Sequence, residues 1–176
     1  MKHTMKAMPV SRAVLRGIAI DLRRLCRINM PYFPVDYVLE LVPEIIPGYK
    51  VVIETIEKMG NNHGLTLYAE KIIKIREDVY EGACEGKGRD RMTCAHEIAH
   101  AILHTNTLIS ARDYGKLERY EDPEWQAKAL AGHILIPDAI ARQHTAEEVV
   151  GICGVSSDAA QFAVSLVPRH QQIRRG

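Results

Sequence analysis

His96-Glu-Ile-Ala-His100 is the stretch on which the reading of this chain turns. At about 100° per residue, positions i and i+4 of a helix share one face, so both imidazoles can converge on one cation while Glu97 stands beside it. That is the head of a zinc hydrolase. Helicity follows from the surroundings. Arg91 to Leu103 holds no Gly or Pro, Asp90 supplies an N-cap, and Ala95, Ile98, Ala99, Ile102 and Leu103 recur at the spacing of a buried stripe. The segment from Glu81 to Arg89, charged and holding three Gly, reads as a surface loop feeding this helix.

A third protein donor decides the subclass. In the extended pattern H-E-x-x-H-x-x-G-x-x-H, a Gly and a His would stand where the chain has Leu103 and Asn106, so that pattern fails. A second helix supplies the alternative in Glu124-Trp-Gln-Ala-Lys-Ala-Leu-Ala-Gly-His-Ile-Leu-Ile-Pro137. Asp122 caps it, Pro123 fits its first position, and Pro137 stops it. Glu124 shares a face with Ala127, Ala131, Ile134 and Leu135, so its carboxylate is expected along the buried stripe, where a charge needs a partner. Two neutral imidazoles and a carboxylate form a catalytic Zn2+ set with one position left for water. Small Ala127 and Ala131 would let the helices approach closely. His133 lies about 180° round from Glu124 and is excluded as a ligand. His104 continues the four-residue series, but three such rings cannot surround one tetrahedral ion from a straight helix. It reads either as a group behind the ligands or as a surface residue.

These residues resemble the ImmA/IrrE-type zinc metallopeptidases. The matching pieces are Met92-Thr-Cys-Ala-His-Glu-Ile-Ala-His-Ala-Ile-Leu-His104, the Glu124 to Pro137 run, and the Pro34-Val-Asp36 helix start, together covering about residues 30 to 140. The resemblance implies a cytoplasmic endopeptidase that cleaves a helix-turn-helix repressor and releases its genes. It maps the zinc ligands to His96, His100 and Glu124 and the general base to Glu97. Gln126 departs from the pattern, since many members carry an acid there, and no role is carried over to it. The oxyanion donor is left open among His104, Tyr114 and Tyr120, with packing as the plain alternative for each Tyr.

The rest of the chain bounds the fold. With 176 residues, 47% hydrophobic, it has the size of a compact domain with its own core. Tyr49 to Ile56, Leu65 to Ala69 and Ile72 to Arg76 are rich in β-branched and aromatic residues and predict three strands. A short helix from Val35 to about Val42 should end at Pro43. The expected architecture is α+β, a minimal zincin-like fold with a small three-stranded sheet packed on the metal helix. An edge strand beside the cleft would suit an extended substrate.

Three segments are expected: 1–30, a basic amphipathic helix; 31–143, the peptidase domain; and 144–176, a helix-turn-helix-like pair with a basic tail. Residues 1–30 carry seven Lys or Arg against one Asp, whereas the whole chain is only +1. Such a helix suits an acidic partner or nucleic acid, or simply docks with its basic face in solvent. Residues 105–121 suggest a lid. The C-terminal pair resembles a DNA-reading unit, yet its second helix, Ser156 to Val167, has no Lys or Arg, which disfavours DNA binding. No apolar run of about 18 residues and no signal core are present, and four Cys lack C-x-x-C spacing, so a cytoplasmic protein with reduced thiols and no membrane contact is expected. The competing function is a metal-stabilised module that binds a regulator without proteolysis. A structural site would need a fourth protein ligand, and Cys94 lies about 200° round the helix from His96.

Overall fold

The computed structural model describes residues 5–105, 109–110 and 118–168. In chain order the elements are β1 (Met5–Lys6), α1 (Arg12–Leu25), α2 (Val35–Ile45), β2 (Lys50–Glu54), α3 (Ile56–Met59), β3 (Gly64–Leu67), β4 (Ile72–Arg76), α4 (Glu77–Cys84) and α5 (Gly88–His104). There follow β5 (Ile109–Ser110), a 3-10 turn (Arg119–Glu121), α6 (Pro123–Leu135), α7 (Asp138–Gln143), α8 (Ala146–Cys153) and α9 (Ser157–Leu166). The α+β expectation is met. A three-stranded sheet, order β2-β4-β3, has β2 parallel and β3 antiparallel to β4, and β1 pairs separately with β5.

The sheet lies against α5, and the edge strand β3 sits over that helix. Alternation along β4 places Ile73 and Ile75 inward, both fully buried. On α5, Cys94, Ala95, Ile98, Ala99 and Ala101 are buried, and α6 answers with Ala127, Leu130, Ala131, Ile134 and Leu135. Burying each of these large aliphatic side chains is worth about 1.5–3 kcal/mol. Ala127 and Ala131 are both fully buried on α6, which packs on α5 and on α1. The same buried cluster takes in Leu15, Ala19 and Leu22 of α1 and Val149, Cys153, Ala160 and Val164 of the C-terminal pair.

Two arginines tie the outer helices to this core through helix C-termini, where carbonyls lack partners. Arg23 donates from Nε and Nη2 to the carbonyl of Ile134 at 3.0 and 2.8 Å, and from its guanidinium to Met30 and Pro31. Arg91, fully buried, donates to the carbonyls of Gly154, Cys153 and Phe33 at 2.8–3.1 Å and stacks on Tyr32. The basic N-terminal helix is therefore docked, and part of its basic face holds carbonyls.

Several boundaries differ from expectation. The segment from Glu81 to Arg89 is mostly helical, because Glu77 and Asp78 start α4 and Val79 and Ala83 bury its inner face. Only Gly86, at φ +83°, marks a turn. Gly88 instead opens α5 against the α8–α9 junction, where a Cβ would come within 2.6 Å of the Val155 and Ser156 backbone. Asp90 thus lies in the first turn of α5 rather than at its cap. Pro43 falls inside α2, which runs to Ile45 because Ile46 still donates to the Val42 carbonyl. The first strand stops at Glu54, since Thr55 caps α3. Among the described residues no single helix is long and apolar enough to cross a membrane.

Candidate metal centre

Helix α5 presents His96 and His100 one turn apart, with their Nε2 atoms 3.0 Å from each other. Glu124 enters from the first turn of α6, whose start is fixed by Asp122 Oδ1 accepting from the Glu124 amide and by Pro123 at the first position. Its carboxylate lies 3.2 Å from His96 Nε2 and 3.4 Å from His100 Nε2. These three residues form a group that could hold a metal ion. Bonds of about 2.0–2.2 Å around a tetrahedral zinc imply ligand-to-ligand separations of about 3.3–3.5 Å, so the observed spacings fit such an ion with little movement. One expectation fails: the Glu124 side chain is 71% exposed, not buried along the stripe. Ala127 and Ala131 are buried as expected, but residue 124 sits at the open end of the seam, where its carboxylate faces the cleft. The adjacent imidazoles, His100 first and then His96, hold its carboxyl well below the usual range, against the opposing effect of burial.

The far side of His100 is a buried relay. Gln126, almost fully buried, donates from Nε2 to the carbonyls of Met8 and Tyr120 at 2.8 and 2.7 Å. Both amide hydrogens are then used, and Oε1 is left to accept from His104 Nε2 at 3.0 Å. Burial presses the His104 pKa down to about 4, so the ring is neutral and its Nδ1 is a bare acceptor. His100 Nδ1, 3.0 Å away, must carry the hydrogen between them, and the Tyr68 hydroxyl lies 2.9 Å from the same nitrogen. This network assigns His100 the Nδ1–H tautomer and leaves its Nε2 lone pair toward Glu124 and His96. His104 is thus a buried partner of His100, the first of the two readings that sequence left open. Gln126, given no role from sequence, anchors the chain of bonds.

Glu97 points the other way round the helix, toward the edge strand. It is buried, and the Thr66 hydroxyl on β3 donates to its Oε2 at 2.7 Å. Desolvation raises its carboxyl pKa, with the Thr66 bond and the two imidazoles opposing. Gly64 makes room: a Cβ there would stand 2.6 Å from Glu97 Cγ and 2.8 Å from Oε1. Thr66, Tyr68 and Gly64 escaped sequence reading because strand-to-helix contacts leave no local spacing. The alternating β-branched run around Leu65 was the only available signal.

Other candidates separate clearly. Tyr120 contributes its carbonyl, while its side chain is exposed. Tyr114 and most of the suggested lid lie outside the described residues. His133 pairs with Asp138 at 3.2 Å and lies outside the three-residue group. Cys94 is fully buried on the core face of α5, with its thiol pushed up to about 12 by desolvation.

A Mycobacterium tuberculosis transcriptional regulator has a similar fold, with TM-score 0.55 at 15% sequence identity. The match covers 93% of this chain and 48% of that one, so the chain spans about half the length of that neighbour. No curated protein matches the sequence. The Peptidase M78 description, IrrE N-terminal-like domain, matches residues 47–165, which include α5, α6 and the edge strand. On that match over most of its length, the chain belongs to the Peptidase M78 family of IrrE N-terminal-like domains.

Proposed function

We propose that this protein is a cytoplasmic, zinc-dependent endopeptidase that cleaves a helix-turn-helix transcriptional repressor and so derepresses its genes. The observation that carries the reading is the convergence of His96 Nε2, His100 Nε2 and the Glu124 carboxylate, with the buried Glu97 one residue from His96. The regulatory target rests on the family and on the resemblance of the motifs.

His96, His100 and Glu124 would hold the ion. When bound, zinc supplies a water of lowered pKa and polarises the scissile carbonyl. Glu97 takes the water's proton as general base and passes it to the leaving amine. Its raised pKa suits both halves of that transfer, and Thr66 holds Oε2 so that Oε1 is the free acceptor. His104 and Gln126 keep His100 in the tautomer that offers Nε2. Edge strand β3, with one side unpaired among the described strands, lies beside Glu97 and offers backbone groups to an extended substrate. Direct DNA reading is not part of this function, since α9 carries no Lys or Arg.

The test incubates zinc-loaded protein with the helix-turn-helix repressor encoded beside its gene, and compares wild type with Glu97→Gln. Cleavage by wild type alone supports the peptidase. Binding by both proteins with cleavage by neither would favour a regulator-binding module in which the metal only holds the fold.

A further inference from the structure

A cavity of about 770 Å³ opens from the metal centre, where His96 and Glu124 form its near wall, and runs along α6 between α1 and α9. Its size is that of a binding cleft for several side chains. Two features distinguish it from an incidental groove between helices.

The first is its charge. Arg12 of α1 is held between two aromatic rings, 5.1 Å from the Trp125 centroid and 5.6 Å from that of Phe162. Arg119 lies 5.7 Å from the same Trp125 centroid, and Lys128 stands on the same rim. None of these three cations has an ion pair among the described residues, although Arg16 beside them is paired with Asp138. The acids lining the cleft are mostly engaged: Glu124 with the imidazoles, Asp122 in the α6 cap and Asp138 with Arg16 and His133. Arg12 is destabilised as a cation by burial first, then by Arg119 and Arg16. A cation so fixed and so crowded is relieved by an incoming carboxylate.

The second feature is an absent side chain. Gly132 sits in the interior of α6, where glycine costs about 1 kcal/mol relative to alanine. Nothing lies within 4 Å of a Cβ built there, so no packing contact demands glycine. The missing side chain keeps the cleft open. Phe162 and Leu166, 51% and 39% exposed, offer apolar surface on the facing helix. At the far end, the nine-tenths buried His133 has an Nε2 with no hydrogen-bond partner among the described residues.

We infer that this cleft is the specificity groove of the proposed peptidase, and that it takes a substrate segment in which acidic residues alternate with large apolar ones. The inference rests on the peptidase reading for the identity of the occupant as substrate. The apolar residues lie on Phe162 and Leu166 and in the space above Gly132, while the carboxylates meet Arg12, Arg119 and Lys128. Nucleic acid shares the charge but not the apolar floor.

Binding tests it without requiring turnover. Zinc-loaded full-length Glu97→Gln protein is titrated against a fluorescein-labelled peptide of alternating Glu and Leu/Phe, the same peptide with Lys for Glu, and a single-stranded oligonucleotide, read by anisotropy. The acidic peptide should bind at least about tenfold tighter than the Lys peptide, with the gap narrowing as salt is raised. In that background Arg12→Glu with Arg119→Glu should invert the preference, and Gly132→Leu, a better helix former that fills the cleft, should weaken both peptides. Equal affinity for the two peptides, no binding of either, or tighter binding of the oligonucleotide overturns the proposal. Repressor cleavage by wild type without any acidic preference would sink the groove alone. Acidic preference without cleavage by wild type would sink the peptidase alone.

Discussion

The tautomer of His100 is set by atoms far from it in sequence. Gln126 is fixed by two backbone carbonyls, His104 by Gln126 and His100 by His104. Gln126→Leu, close in volume, removes the anchor while filling the space. It should weaken zinc binding by about 10–100-fold, read by competition against a chelator, and unchanged affinity would show that the relay does not orient the ligand. A second residue-scale test uses Gly64, whose missing Cβ gives Glu97 its place. Gly64→Ala should leave zinc content intact and reduce peptide cleavage by at least about tenfold, because Glu97 is pushed from its position. Cleavage at the wild-type rate would separate Glu97 placement from the chemistry. At this scale the sequence was legible wherever two residues share one helix, as His96 and His100 do. Glu124 was legible through its cap and its stripe, although its exposure was not: a stripe names a face but not where that face runs out into the cleft. Thr66, Tyr68 and Gln126 were silent because their partners lie 22 to 32 residues away.

Among elements, the α5–α6 pair and the strand β4 were readable because periodicity, caps and stops agree there. Helix α4 was not, since glycines that serve close approach were indistinguishable from glycines that serve turns. Arg91 shows how the C-terminal pair is held. Its guanidinium answers three carbonyls, two of them at the end of α8, from a position with no solvent exposure. Arg91→Leu leaves those acceptors without a donor and should cost about 3 kcal/mol in urea unfolding, given about 1–3 kcal/mol per buried unsatisfied group and some relief from water. A loss below about 0.5 kcal/mol would mean that hydrophobic contacts of Val149, Cys153 and Val164 suffice to dock α8 and α9.

For the molecule as a whole, the candidate site joins both halves of the fold: α5 carries His96, His100 and Glu97, α6 carries Glu124, and β3 carries the Thr66 that bonds Glu97. An ion that binds only this folded arrangement adds stability in proportion to its saturation. Zinc at about one hundred times its dissociation constant should add about 2.7 kcal/mol and raise the melting temperature, and a chelator should reverse the rise. In Glu124→Ala that increment should fall sharply, and an undiminished rise would reject Glu124 as the third ligand. The central claim is that this centre hydrolyses peptide bonds with Glu97 as base. It is tested most directly by mass spectrometry of a proteome-derived peptide library incubated with zinc-loaded wild type and with Glu97→Gln at equal zinc content. New peptide termini are predicted with wild type and none above background with Glu97→Gln; the same cleavages from both proteins, or none from either, would contradict it.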